Sequence, residues 1–149
     1  MAANSARVRV GRLLEVSVRS GYRTIADVDT LFDAIDRALA VLPAGQQHVT
    51  CADWRSCTVM AQETSDRLKQ RLSRTNARTE RSAAIARPDS PTAVMQFLRL
   101  IREANLPERK VFLHPEEAVE WLGEVLLPAE VARLRLFLNA TSESARDAT

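Results

Sequence analysis

Glycine is scarce in this sequence, with only four among the 149 residues. They are Gly11, Gly21, Gly45 and Gly123, too far apart to form the glycine-rich loops that cradle phosphate groups in dinucleotide- and nucleotide-binding enzymes. The Gly-x-Ser-x-Gly turn that presents a nucleophilic serine is missing as well. These absences exclude the glycine-loop nucleotide enzymes and hydrolases built on a nucleophile elbow.

Cysteine and histidine are equally rare, with two of each. Cys51 and Cys57 are too few for a disulfide framework in a chain of this length, so we expect two reduced, partly buried side chains. A redox pair or half of a metal site is the alternative. His48 and His114 are too far apart for a recognisable zinc spacing, and neither cysteine is followed six residues later by the arginine of a phosphatase loop. The sequence therefore predicts no metal, no cofactor and no catalytic residue.

Long apolar runs are also missing. None approaches the roughly 20 residues that a membrane-spanning helix needs, and the first residues lack the apolar core of a secretory signal. Hydrophobic residues still make up 46% of the chain, which excludes wholesale disorder, and a length of 149 residues suits one domain. We therefore expect a soluble, cytoplasmic protein with disordered ends at 1–6 and 141–149.

Lysine is the last scarce residue, since only Lys69 and Lys110 occur among 21 basic residues. The net charge of +2 conceals an uneven distribution, because segment 67–110 holds 11 basic and 4 acidic residues whereas segment 111–149 holds 3 basic and 7 acidic ones. The basic segment predicts either a solvated helix face or a face for an acidic or phosphate-bearing partner. Nucleic acid is disfavoured, because the tryptophans are not interleaved with these arginines and no recognition motif is present.

The apolar residues that are present alternate between strand and helix periodicity. An alternating run from Arg7 to Arg19 predicts either a half-buried antiparallel strand pair that turns at Gly11-Arg12 or one long strand, with one arginine-rich face. Strand–helix units follow, and such units build parallel crossovers covered by helices. The predicted elements are a helix capped by Thr24 and Asp27 and ending at Pro43, a strand at 48–53, a helix at 61–72, a strand at 80–87, a helix from 89–91 to 105–107, a strand at 110–113, a helix capped by 114–117 and a helix at 128–139.

This order predicts an α/β fold in a single domain. The sheet is expected to be mixed and four- to five-stranded, antiparallel at its N-terminal strand and otherwise parallel, under four to five helices. In the third helix the predicted buried side comprises Val94, Met95, Phe97, Leu98, Leu100 and Ile101.

Asp53 is the first candidate functional residue because it ends a strand of the predicted parallel sheet. Open α/β sheets place functional groups at the carboxyl ends of their strands, and capping of the loop 55–60 is the structural alternative. Acidic residues of 116–124 begin the fourth helix, where they favour the helix dipole rather than acid–base catalysis. His114 is interpreted as the cap of that helix.

Three stretches, 48–53, 80–99 and 109–122, carry a further signal together with the element order. The most distinctive is the last, Arg-Lys-Val-Phe-Leu-His-Pro-Glu-Glu-Ala-Val-Glu-Trp-Leu. Together they resemble the STAS-like family, the sulfate transporter and anti-sigma factor antagonist domains. The resemblance implies a STAS-like domain over residues 7–125, with Asp53 at the end of the second crossover strand and a regulatory Ser or Thr beyond it.

The stretch after Asp53 departs from the STAS-like pattern. Family members that act as phospho-switches carry an Asp-Ser-x-Gly type motif at the start of the second main helix, whereas this sequence has Val-Met-Ala-Gln-Glu-Thr-Ser at 59–65. The matched acceptor position falls near Gln62, whose amide cannot be phosphorylated. The nearby hydroxyls are either possible phosphoacceptors or capping and surface groups. They are Ser56, Thr58, Thr64 and Ser65.

The resemblance and the missing catalytic motifs together predict a non-enzymatic, regulatory protein–protein interaction module of a bacterial cytoplasm, similar to anti-sigma factor antagonists but without a standard phospho-switch. The alternative is a domain that binds a small ligand, a nucleotide, phosphate or lipid, at the carboxyl edge of the strands. A hydrolase with an improvised site ranks third, and nucleic-acid binding ranks below all three. The expected contact surface adds the face of the first helix to Asp53, Arg55, Ser56, Thr58 and Gln62.

Residues 126–140 extend beyond the STAS-like part as a predicted C-terminal helical extension. Apolar side chains along one side of this helix need burial; they are Val131, Leu134, Phe137 and Leu138. We expect this side to pack on its own domain. The alternative is a homodimer interface formed by exchange between protomers.

Overall fold

The computed structural model describes the backbone of residues 3–147 and the side chains of residues 3–140. The strands of this part of the chain form one sheet whose spatial order follows the sequence. The strands are β1 (Ser5–Val8), β2 (Leu13–Ser17), β3 (His48–Asp53), β4 (Thr79–Ile85) and β5 (Arg109–Phe112). The helices are α1 (Ile25–Leu39), α2 (Gln62–Arg74), α3 (Pro91–Glu103), α4 (Pro115–Gly123) and α5 (Pro128–Asp147). β1 is antiparallel to β2 and the other pairs are parallel, which confirms the predicted α/β fold with a mixed sheet.

The first two strands form a hairpin that turns at Gly11. The φ angle of Gly11 is +57°, which L side chains adopt only at a cost and which glycine adopts freely. The pairing runs from Ser5 opposite Ser17 to Val8 opposite Leu14. The expected disorder of residues 1–6 is therefore wrong for its last two residues, because pairing with β2 orders them.

Three helices cover one face of the sheet, which we call the front face. Consecutive parallel strands are neighbours, so right-handed crossovers carry α1, α2 and α3 over the same side. The predicted cap of α1 is present, since the Thr24 hydroxyl accepts from the backbone N–H of Asp27 and the Asp27 carboxylate accepts from that of Thr24. The front-face core includes Leu14, Val16, Val28, Leu31, Phe32, Leu68 and Phe97.

The opposite face, which we call the back face, is covered by α4 and α5. Without these helices the apolar residues that the sheet presents there would be exposed to water; they are Leu13, Val49, Cys51, Ala83 and Ile85. The apolar side of α5 packs against them, and Leu134 is fully buried. The extension thus packs on its own domain, as expected, and the homodimer stays a prediction.

Charged side chains fix α5 to β2 and to the hairpin turn. Arg133 donates to both carboxylate oxygens of Glu15, at 2.7 and 2.9 Å, and Glu130 accepts from the backbone N–H of Arg12 at 2.9 Å. Because α5 covers its back side, β2 is buried on both faces, and the expected half-buried strand is wrong. The helix also continues to Asp147, which corrects the expected disordered tail; residues 148–149 of that tail lie outside the described residues.

Candidate functional site

Asp53 ends β3 at the carboxyl edge of the parallel strands, but it is only 6% exposed. Arg55 donates to its Oδ1 through Nε at 2.8 Å and to its Oδ2 through Nη2 at 3.2 Å. The same Nη2 donates to the carbonyl oxygen of Leu138 in α5 at 3.1 Å. The expectation that Asp53 and Arg55 belong to an open contact surface is therefore corrected, because this ion pair orders its own loop and ties it to α5.

The loop after Asp53 is held against α3. The buried Trp54 ring packs edge-to-face between Tyr22 and Phe97, with ring centroids 6.0 and 5.3 Å away. The side-chain amide of Gln96 bonds to both the N–H and the carbonyl oxygen of Met60, each at 2.8 Å. The exposed side chains between Trp54 and Met60 are consequently presented from a fixed backbone.

The four candidate phosphoacceptors divide into two exposed and two buried residues. Ser56 and Thr58 are exposed in the loop. Thr64 and Ser65 are 1% and 9% exposed, because they lie on the side of α2 that packs against the rest of the protein. The expectation that Thr64 and Ser65 are phosphoacceptors is therefore corrected, because a modifying enzyme cannot reach a buried hydroxyl. Gln62 is exposed and donates to Asp66, and phosphorylation of Ser56 or Thr58 stays a prediction.

A groove of about 490 Å³ lies between α2 and α3, and we call it the α2–α3 groove. Met95 and Leu98 line it with 68% and 46% of their surface exposed, and Val59 in the adjoining loop is 53% exposed. Charged and polar residues complete its lining; they include Gln62, Asp66, Lys69, Arg99, Arg102 and Glu103.

The exposure of Met95 and Leu98 corrects the predicted buried side of the third helix. Six apolar residues within eight positions extend too far around a helix for all of them to face one sheet. The side that meets the sheet consists of Ala93, Phe97, Leu100 and Ile101, spaced i, i+4, i+7 and i+8. The apolar excess of α3 therefore signalled an open surface as well as a core.

The arginines of α2 are largely engaged within the domain. Arg71 lies 3.2, 3.1 and 3.6 Å from the carboxylates of Asp29, Asp33 and Asp36 in α1. Arg67 lies 3.8 Å from Asp29. The face of the first helix that was expected to dock a partner is thus ion-paired with α2, and much of the basic excess of segment 67–110 is balanced locally.

A buried polar group that the sequence did not predict lies at the opposite, amino-terminal ends of the strands. His48 is 2% exposed and its ring nitrogens contact the hydroxyls of Thr50 and Thr79 at 2.8 and 3.3 Å. Burial, followed by the nearby positive charges of Arg109 and other arginines, lowers the pKa of His48 to about 4. The two-residue spacing of His48 and Thr50 signals a shared strand face, but no sequence feature signals that this face is buried.

Arg109 begins β5 in the same region and is 6% exposed. It donates to the carbonyl oxygen of Leu72 at 3.0 Å, to the hydroxyl of Thr75 at 2.7 Å and to the amide oxygen of Asn76 at 3.2 Å. All three partners are neutral, and burial lowers the pKa of the guanidinium to about 10. Together with His48, Arg109 lines an enclosed cavity of about 40 Å³, so this group joins β5 to the end of α2 rather than forming an open site.

The cysteines are buried on opposite sides of the sheet, Cys51 in the back-face core and Cys57 in the front-face core. Both are free thiols, and burial raises the pKa of each well above its usual range. The two cysteines are unbridged, as expected, but both are buried rather than partly buried. Among the described residues no group of three or more His, Cys, Asp or Glu side chains could hold a metal ion. None of the helices in this part of the chain is both long and apolar enough to cross a membrane.

The architecture has a counterpart among solved structures. A crystal structure of an uncharacterized protein of the DUF3478 family from Shewanella loihica PV-4, described as having a SpoIIAA-like fold, matches this chain with a TM-score of 0.59. The match covers 80% of this chain and 94% of that chain, at 15% sequence identity. The fold is SpoIIAA-like. No protein-family model matches the sequence, and no curated protein matches it either.

A SpoIIAA-like fold is the fold of anti-sigma factor antagonists, so the fold implied by the STAS-like resemblance is confirmed. An identity of 15% supports the fold alone, and a fold hosts many functions. On the front face, the open features of this SpoIIAA-like domain include the α2–α3 groove and the loop carrying Ser56 and Thr58. The carboxyl edge beside them is closed over Asp53 by Arg55 and α5.

Proposed function

We propose that this protein is a non-enzymatic, regulatory protein-interaction module of the cytoplasm that binds a helix of a partner protein in the α2–α3 groove. The observation that carries the proposal is the exposure of Met95 and Leu98 in this groove, with Val59 exposed in the loop that precedes α2. Soluble proteins rarely leave clustered large apolar side chains exposed, and such patches mark interaction sites. Their position beside Thr58 and Gln62 overlaps the contact surface expected from the sequence.

An amphipathic helix is the partner element that this groove fits best. Met95 and Leu98, three residues apart on α3, form an apolar strip along the groove. The lining beside this strip carries both signs of charge, with Lys69 and Arg99 among the cations and Asp66 among the anions. An apolar strip flanked by polar residues suits the apolar face and polar edges of an amphipathic helix.

Regulation at the groove differs from the STAS-like switch in this proposal, because the resemblance places the matched acceptor position near Gln62, which cannot be phosphorylated. Ser56 and Thr58 are the exposed hydroxyls of the neighbouring loop. A phosphate on Thr58 would place about two negative charges next to Val59 and would oppose an acidic or apolar partner surface. Partner binding itself requires no phosphate, since the apolar strip is exposed in the unmodified chain.

The test is affinity capture from the source organism followed by reconstitution with the purified partner and measurement of Kd by calorimetry. The double variant Met95→Glu/Leu98→Glu is expected to raise the Kd at least about tenfold, because it places charges on the apolar strip. The matched control is Leu136→Glu, which adds a charge at a leucine that is 61% exposed on α5. Equal affinities of the double variant and the control, or the absence of any stoichiometric partner, would overturn the proposal.

A further inference from the structure

A second opening lies on the other side of the sheet, between the first hairpin and α5. We call it the arginine cleft; its volume is about 270 Å³. Side chains point alternately to the two faces of a strand. Every second residue of β1, of β2 and of the extended segment that follows β2 therefore faces this cleft. The lining includes Arg7, Arg9, Glu15, Ser17, Arg19 and Arg133.

The charges that line the cleft do not balance. Among the described side chains, Glu15 is the one acidic residue of the lining against four arginines, and Arg133 already occupies both of its carboxylate oxygens at 2.7 and 2.9 Å. Arg9 adds a looser contact with Glu15 at 3.7 Å. Among residues 3–140, no carboxylate lies within 4.0 Å of Arg7 or Arg19. Within this described part of the chain, two guanidinium groups are therefore left without a counter-charge beside one opening.

A buried hydroxyl lies between these two arginines. Ser17 is 7% exposed, and its Oγ has no hydrogen-bond partner among the described residues. Along the strand, Glu15 lies two positions before Ser17 and Arg19 lies two positions after it. Arg7 of β1 lies opposite Glu15. A buried polar atom without a partner costs free energy, so its retention at the floor of a basic cleft points to a ligand group that completes it.

We propose that the arginine cleft binds the phosphate group of a small phosphomonoester, with Arg7 and Arg19 on either side and the Ser17 hydroxyl donating from the floor. A guanidinium presents paired N–H donors that match two oxygens of a phosphate, and a dianion neutralises two unpaired arginines. A carboxylate would supply one charge and leave one arginine unmatched. The site lies on the back face, so it is independent of the partner proposed for the α2–α3 groove.

The experiment is a calorimetric titration of the full chain with ribose 5-phosphate, adenosine 5′-monophosphate, inorganic phosphate and acetate at low ionic strength, where such contacts are strongest. We expect the phosphate compounds to bind and acetate to bind at least about tenfold more weakly. Tighter binding of ribose 5-phosphate or of the nucleotide than of inorganic phosphate shows that the cleft also recognises the organic part. Equal binding of all three phosphates assigns the site to the phosphate group alone, which still supports the proposal.

Three variants locate the binding. Arg7→Gln and Arg19→Gln alter exposed side chains and are each expected to raise the Kd of ribose 5-phosphate about tenfold. Ser17→Ala removes the unpartnered hydroxyl and should raise it by about threefold without loss of folding. The matched control is Arg37→Gln, an exposed arginine on α1. No detectable binding of any phosphate, or an equal loss of affinity in Arg37→Gln and Arg19→Gln, would overturn the proposal.

Discussion

The two faces of the sheet are closed by different kinds of contact. On the front face, three crossover helices bury apolar side chains, and the polar groups His48 and Arg109 bond to neutral partners. On the back face, α5 is also anchored by charge, through Arg133 to Glu15 and through Glu130 to the hairpin turn. The front face thus follows from the topology of the fold, whereas the back face depends on a C-terminal helix held by a few specific pairs.

This difference also separates the two surfaces to which we assign functions. The front-face helices α2 and α3 leave a groove in which exposed apolar side chains lie among charged ones. Between the back-face helix α5 and the hairpin lies a cleft that is basic because the hairpin contributes three arginines to its described lining and α5 a fourth, against one carboxylate. The same domain therefore offers an apolar site suited to a protein and a charged site suited to an anion, and changes on one face should leave the other unaffected.

The largest predicted effect is loss of apolar burial under α5. Leu134→Ala should lower the free energy of unfolding by about 3 kcal/mol, because it leaves a cavity at a fully buried position. Urea denaturation measures this loss of stability. The control is Leu136→Ala, at a residue that is 61% exposed on the same helix, and it should change the free energy of unfolding by less than about 0.5 kcal/mol. Equal effects of the two variants would show that α5 does not close the back face as described.

The next effect is a pH dependence that arises on the front face. Because the pKa of His48 is lowered to about 4 in the folded protein, the unfolded chain binds its proton first as the pH falls below 6.5. The stability present above that pH should decline progressively toward pH 4, with about 2 kcal/mol lost by about pH 5.

Urea midpoints measured across this range check the prediction. His48→Gln should flatten the acid side of the stability profile, whereas His114→Gln, at the exposed histidine of the α4 cap position, should leave it unchanged. A His48→Gln profile as steep as that of the unaltered protein would contradict the assignment of this pH dependence to the front face.

The charge anchor of the back face should contribute less than the leucine. Arg133→Met leaves Glu15, 4% exposed, with only the looser contact to Arg9. Because Arg133 itself is 27% exposed, the lost charged hydrogen bonds should lower the free energy of unfolding by about 1.5 kcal/mol. The double variant Glu15→Gln/Arg133→Met removes the stranded charge and should recover about half of the loss, as thermal or urea unfolding will show. A double variant less stable than Arg133→Met would mean that the pair does not act as a unit.

The smallest effect concerns the fit between the hairpin turn and α5. Gly11 and Gly45 both have positive φ angles. Substitution of either by alanine should therefore lower the free energy of unfolding by about 1 kcal/mol. A Cβ at Gly11 would also collide with the carboxylate of Glu130, whereas nothing lies within 4 Å of one at Gly45. Gly11→Ala should therefore be about 1 kcal/mol less stable than Gly45→Ala in urea denaturation, and equal stabilities would remove Glu130 from this contact.

The sequence predicted the front face better than the back face because its signals there are local. The Thr24–Asp27 cap and the strand–helix alternation lie within short segments, and the STAS-like resemblance added the fold. The contact between Glu15 and Arg133 joins residues 118 positions apart, and no local sequence pattern around either residue predicts it.

The candidate site was predicted in part for a similar reason. The carboxyl edge near Asp53 follows from the strand order, but its closure depends on Arg55 meeting α5. Hydrophobicity alone also could not separate the exposed Met95 and Leu98 from the buried Phe97, because the difference depends on where the sheet lies relative to α3.

The most direct test of the central claim is hydrogen–deuterium exchange of this protein with and without its reconstituted partner. We expect slower exchange on binding in two segments, the loop and first turns of α2 at 56–69 and the exposed side of α3 at 92–103, with the hairpin and α5 unchanged. Protection confined to the hairpin and α5, with none in α2 or α3, would contradict the assignment of the α2–α3 groove as the docking surface.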